Sequence, residues 1–332
     1  MIDAYAWLIG LLLVAWCLTG GADLGAGVWD LLARGPRAAD QRRLIEHAIA
    51  PIWEANHIWL ILVVVLLFSV FPTAFAAVGT ALHIPLTIAL LGIVLRGSAF
   101  VFRSYGLSAA GSAGLWGRVF AISSVATPVA LGLALGGLGT GAITLSSAMV
   151  VTSGFLAGWT TPFAVSVGLL TPALFALLAA VYLALEAAGE LRADFVRRAL
   201  WAEGVAFLAA AASLGLAYAD APLLFARLLG SPWSLSLQLV TALAAITVVL
   251  SLRRGAVHLA RVAVGAQVAG VVLGFGLAMD GDLLRGALPA SAAGARSELM
   301  GPLAGVLAAG AAMTIPALLA LYRVFSRSPR NP

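Results

Sequence analysis

The sequence predicts an all-α polytopic membrane protein with nine transmembrane helices. Three observations carry this. Of 332 residues, 62% are apolar and only 10% charged, under half the fraction of about 25% usual in soluble domains. Mean hydropathy is +1.05. All 19 basic residues are arginine, and they crowd into alternate connections between apolar runs. Membrane insertion produces that rhythm, because cationic side chains stay on the cytoplasmic side.

A helix needs about 20 apolar residues to cross the hydrocarbon core. Nine runs meet this, and the arginines order them. Run 4–32 leads into a connection with Arg34, Arg37, Arg42 and Arg43. Runs 49–71 and 73–102 follow, with Arg96, Arg103 and Arg118 around the next basic connection. Runs 115–138 and 159–187 come next, the latter followed by Arg192, Arg197 and Arg198. Runs 199–219 and 233–252 precede Arg253, Arg254 and Arg261. Runs 257–279 and 301–325 close the series, with Arg323, Arg327 and Arg330 at the tail. Sixteen arginines thus fall on one side. The opposite connections hold three, namely Arg227, Arg285 and Arg296. The expected orientation is N-terminus outside and C-terminus cytoplasmic. Met1-Ile2-Asp3 offers no basic region ahead of the first run, so that run is expected to remain in the mature protein. Trp7, Trp29, Trp53, Trp116, Trp159, Trp201 and Trp233 sit near predicted span ends, where the indole prefers the interface. Trp16 and Trp59 lie deeper and are expected to pack between helices.

A weak internal echo bears on organisation. Arg37 is followed by Arg42 and Arg43, and Arg192 by Arg197 and Arg198 at the same spacing. Each group follows a run crossing in the same direction. The expectation is a single membrane domain, 1–332, built from a four-helix unit (1–138), a second (159–279) and a peripheral ninth helix (301–325). The net charge of +5 is spread over many connections. It reads as topology, not as a nucleic-acid footprint. The single cysteine, Cys17, excludes a disulfide within the chain.

Ionisable residues inside a span are expensive and mark functional sites by default. Here they gather toward the cytoplasmic side. Asp23 and Asp30 lie late in the first run, Glu54, Asn56 and His57 early in the second, and Arg96 late in the third. Glu54 and His57, three apart, share a helix face, as do Trp53 and His57, four apart. Two readings are open. One is a cytoplasmic proton-uptake path. The other is an Arg96–carboxylate ion pair that ties helices together. Gly20, Gly21, Gly25 and Gly27 bare one wall of the first run, allowing either close helix approach or space for water. His83 and His258 are scattered, and His83 reads more simply as a hydrogen-bonded residue than as a heme ligand.

The run Ala50-Pro51-Ile52-Trp53-Glu54-Ala55-Asn56-His57-Ile58-Trp59-Leu60 resembles a motif of subunit II of the cytochrome bd quinol oxidases. So do Gly21-Ala22-Asp23-Leu24-Gly25, the pair Arg96 and Arg103 with Phe102 before it, Thr161-Pro162-Phe163 and Gly189-Glu190-Leu191. The likeness is specific over residues 15–105 and fades beyond 200. It departs from the family pattern at Gly20, often acidic there, at Glu54-Ala55, often Asp-Gly, and across 280–299, which lacks the family's Pro-Ser-Ser stretch. The resemblance implies a multi-pass subunit of the bacterial cytoplasmic membrane. It would pair with a subunit I that carries heme b and heme d-type cofactors and the quinol site, and together they would reduce dioxygen to water. This chain would bind no heme or metal, with room left for a structural quinone. Glu54 would stand at the mouth of a proton path with Asp23, His57 and Asn56, shaped by Trp53, Arg96 and Arg103. Two other readings remain: a stand-alone secondary transporter with parallel repeats, and a heme b anchor using His57 and His83.

Overall fold

Apolar runs that cannot satisfy their backbone polar groups from lipid must satisfy them internally, and helices do so. A computed structural model describes residues 1–49, 53–104, 113–295 and 297–326. The helices are α1 (Ile2–Leu31), α2 (Ala38–Ile49), α3 (Trp53–Asn56), α4 (Ile58–Val70), α5 (Pro72–Ala81), α6 (His83–Ser104) and α7 (Ala113–Gly139). They continue with α8 (Pro162–Glu186), α9 (Gly189–Asp220), α10 (Pro222–Gly230), α11 (Ser234–Arg253) and α12 (Val257–Ala278). A short hairpin, β1 (Asp282–Leu284) and β2 (Leu288–Pro289), leads to α13 (Ala290–Ala293) and α14 (Ser297–Ser326).

Among the described residues, eight helices are long and apolar enough to cross a membrane. They agree with eight of the nine predicted runs. The ninth, the predicted run 49–71, holds α3 and α4 and ends at Phe71 as predicted. Glu54–Val70 and Pro72–Ala81 meet at a bend of 116°. Phe71, at φ −124° and ψ 58°, leaves the helical region, and Pro72 opens α5 at its first turn. Proline has no N–H to donate back across the break. The predicted run 73–102 is accordingly two helices, α5 and then α6. Ile49 belongs to α2, not to a span. α9 begins ten residues before the predicted run 199–219 and is about 48 Å long at 1.5 Å per residue, so it outreaches the hydrocarbon.

α8 is the most enclosed span, packed against α1, α7, α9 and α12. α1 touches α4, α7, α8 and α12. The bare wall of α1 serves close packing. A Cβ on Gly25 would overlap the carbonyl oxygen of Phe175 on α8, and one on Gly27 would overlap the Ser124 side chain on α7. Trp29, placed at the interface from its sequence position, is instead buried, its Nε1 donating to the Ala176 carbonyl at 2.7 Å. Trp16 is buried edge-on against Phe175, as its depth predicted. α14 is almost wholly exposed.

Two of the three arginines on the sparsely charged side are neutralised. Arg227 pairs with Asp280, and Arg285 lies 3.1 Å from Asp282 and 3.8 Å from Asp280. Arg285 also donates its backbone N–H to Leu138 and so pins the hairpin to the end of α7. Arg296, Arg327 and Arg330 lie outside the described residues.

Candidate functional site

The site grows from two helices with matched spacing. α1 carries Asp23 and Asp30, and α6 carries Arg96 and Arg103. Each pair is seven residues apart, close to two turns, so its members lie on one face. Arg96 Nη2 donates to Asp23 Oδ1 at 2.6 Å, and these side chains are 2% and 3% exposed. Arg103 grips both Asp30 oxygens at 3.0–3.1 Å. The pairs form in the same order along both helices, so α1 and α6 run parallel, and α4 makes the return pass between them.

α7 furnishes the floor. Phe120 lies beneath both guanidiniums, 5.0 Å from Arg96 and 5.7 Å from Arg103. Cations are attracted to such a ring face. Arg96 Nε donates to Ser124 Oγ at 3.1 Å, and its Nη2 also reaches the Asp23 carbonyl at 3.2 Å. Ser124 in turn donates to the Phe120 carbonyl.

α3 and the start of α4 cover α1 from the other side. Glu54 is exposed in the first turn of α3. Asn56 is buried. His57 sits in the turn between the two helices and lies within electrostatic reach of Asp23 and Arg96. Among the described residues, its Nδ1 is buried without a hydrogen-bond partner, and so is Asp23 Oδ2. Ala50, Pro51 and Ile52 of the motif, and the Trp53 side chain, lie outside the described residues.

The structure therefore realises the ion-pair reading for Asp23 and Arg96 and adds a second pair, Asp30 with Arg103. It brings His57 to the first pair and leaves Glu54 on the surface. His83 is exposed, its Nδ1 2.8 Å from the Thr80 carbonyl and its ring edge-on to Phe155. That setting does not suit a buried axial ligand. Among the described residues, no three His, Cys, Asp or Glu side chains are grouped to hold a metal ion.

The other family-like segments are structural joints. Thr161 caps α8, its Oγ1 accepting from Ala164 N–H, while Phe163 N–H donates to Asp220 Oδ2 at 2.8 Å. Gly189 has φ +53° at the start of α9, a backbone conformation glycine adopts without strain. Sequence reasoning missed Glu203. It is buried on α9 and accepts from Gln267 Nε2 on α12 at 2.8 Å. The available signal was a lone carboxylate inside the apolar run 199–219.

Known proteins extend this picture. The chain matches the family model described as cytochrome bd terminal oxidase subunit II over residues 1–325. It is 29% identical over 131 residues to the cytochrome bd-I ubiquinol oxidase subunit 2 of Escherichia coli K12, covering 40% of this chain and 34% of that one. It is 32% identical over 101 residues to the cytochrome bd ubiquinol oxidase subunit 2 of Bacillus subtilis, covering 30% and 29%. The chain thus spans about a third of the length of these curated relatives. Its fold matches a chain of the bd oxidase from Geobacillus thermodenitrificans with a TM-score of 0.79, at 22% identity and 98% coverage of both. With its family model matched almost end to end, this chain belongs to the cytochrome bd terminal oxidase subunit II family.

Proposed function

We propose that this chain is the non-heme subunit II of a bd-type terminal oxidase that couples quinol oxidation to reduction of dioxygen to water. Family membership supports that assignment over a stand-alone transporter. The heme b and heme d-type groups then reside on subunit I, which this chain stabilises. The arginine asymmetry supports an outside N-terminus and a cytoplasmic C-terminus. The helices divide into units at 1–138 and 159–279, with 301–325 peripheral.

Glu54 collects protons at the cytoplasmic face, and His57 and Asp23 pass them inward. One observation carries this role. Three residues along the chain from the exposed Glu54, His57 lies within electrostatic reach of Asp23, and among the described residues His57 Nδ1 and Asp23 Oδ2 are buried without partners. An imidazole nitrogen can accept or donate according to tautomer, and a carboxylate oxygen accepts. Asn56 sits between them in sequence and is buried, and Trp53, Arg96 and Arg103 shape the surroundings. Arg96 holds Asp23 in place through its other oxygen.

The test is oxygen consumption by the assembled oxidase carrying Glu54→Ala or Glu54→Gln. Both should lose activity by about a hundredfold, the lower end of what positioned proton donors contribute, with the heme absorbance spectrum unchanged. Turnover equal to the parent in both variants removes Glu54 from the mechanism.

A further inference from the structure

The arginine echo between the first basic connection and the one after α8 has a spatial counterpart. Arg37 Nε and Nη2 each donate to Asp194 at 2.7 Å, and Arg198 Nη2 donates to Gln41 Oε1 at 2.6 Å. These bonds fold α2 back onto the start of α9. Between them lies a cavity of about 390 Å³, lined by Arg34, Arg37, Arg197, Arg198, Asp194 and Trp201. That volume falls within the range of about 300–1,000 Å³ usual for small-molecule sites.

Four guanidiniums line it against one carboxylate, Asp194, already taken by Arg37, Arg197 and Gln41; a second, the exposed Glu190, lies 3.8 Å from Arg37. Arg34 is exposed, with no ion pair among the described residues. Arg198 is held between the rings of Trp29 and Phe195, at 5.4 and 5.2 Å, and its Nη1 is buried without a partner. Positive charge is therefore in excess.

The cavity is continuous with an apolar groove. Arg197 and Trp201 belong to both, and the groove runs on along Leu200, Gly204, Val205 and Leu208. Residues 197, 201, 204, 205 and 208 recur at helical spacing, so the groove follows the face of α9 toward the middle of the span. Trp201 is 78% exposed at the junction, where an indole prefers the headgroup level.

We propose that this corner binds one anionic phospholipid, its phosphate held by Arg34, Arg197 and Arg198 and one acyl chain lying in the groove past Trp201 and Gly204. An excess of arginine at the membrane surface selects negative headgroups. The apolar stripe leading from those arginines into the membrane selects a tethered chain over a free anion. The arginine asymmetry places the site in the cytoplasmic leaflet, and it is independent of any proton role for Glu54.

Native mass spectrometry of the purified, delipidated complex tests this, with phosphatidylglycerol, phosphatidylcholine and inorganic phosphate titrated separately. The parent should retain one phosphatidylglycerol above the annular background. Arg34→Gln combined with Arg197→Gln should weaken that binding by about tenfold or more. Gly204→Leu should abolish it by filling the groove, into which a Cβ at 204 projects without meeting any atom within 4 Å. If the arginine variant fails to assemble, Gly204→Leu decides alone. Equal binding of phosphatidylcholine overturns the proposal. So does phosphate binding that Gly204→Leu leaves intact while phosphatidylglycerol gains nothing over it, or a co-purifying polypeptide that crosslinks at position 201.

Discussion

Removing Arg96 should cost far more than its charge suggests, because it leaves a carboxylate stranded inside the helix bundle. Among the described residues the Asp23 carboxylate accepts only from Arg96, its second oxygen being unpartnered already. Both side chains are almost fully enclosed. Breaking such a pair from one side typically costs about 3–5 kcal/mol, which is the expectation for Arg96→Met. Asp23→Asn should cost about 1–3 kcal/mol. Arg96 then keeps Ser124 Oγ, the residue 23 carbonyl and the Phe120 ring. Replacing both, as Asp23→Leu with Arg96→Met, should return stability to within about 1–2 kcal/mol of the parent, because no charge stays buried. The assay is equilibrium unfolding in mixed micelles with increasing dodecyl sulfate, followed by tryptophan fluorescence across this double-mutant cycle. Losses that simply add would refute the reasoning, as would an Arg96→Met variant as stable as the parent.

Three further outcomes follow from the packing. Gly25→Ala should lower stability by about 1–3 kcal/mol, since its methyl collides with the Phe175 backbone and α1 must move away from α8. Gly204→Ala should stay within about 0.5 kcal/mol, and thermal unfolding of the two variants compares them. Asp194→Asn removes the carboxylate that gathers Arg37, Arg197 and Gln41. Hydrogen exchange should accelerate across 38–49 and remain unchanged across 257–278, and an equal rise in both would contradict a local role. Glu203→Leu should cost about 1–3 kcal/mol by leaving the Gln267 amide unpaired in the membrane. Glu203→Gln should be close to neutral, because its new N–H₂ can donate to Gln267 Oε1, which lacks a partner. Stability of the two variants in detergent, ranked the other way, would remove the Glu203–Gln267 pair from the account.

The spans were legible because each is a long apolar run, and hydropathy reports length directly. The break at Phe71 was legible too, because Pro72 divides runs 49–71 and 73–102. The break at Leu82 between α5 and α6 was not, since an unbroken apolar stretch looks the same straight or folded. α2 escaped notice for the opposite reason. Its surface is polar, and among its described side chains only Gln41 and Ile45 are buried, too little to register as an apolar run. Asp23 and Arg96 stood out as charges at a depth where lipid was expected. Their pairing was one of two readings, and only geometry separated an occupied carboxylate from a free one. Phe120 gave no warning, because an aromatic residue in a span is ordinary until two guanidiniums lie over it. The Glu203–Gln267 bond joins residues 64 positions apart, beyond any local pattern. Trp29 misled through position alone: a span-end tryptophan can face a neighbouring carbonyl as readily as a headgroup.

The two salt bridges joining α1 to α6 act as a vernier. Sliding one helix by a single turn, about 5.4 Å, would unseat both arginines together and expose two carboxylates to an apolar interior. Rotation about either axis would lift both off the Phe120 ring. Pistoning or twisting of this helix pair is therefore closed as a working stroke. A proton path of the kind proposed above would then rest on side-chain rotamers between helices locked in register.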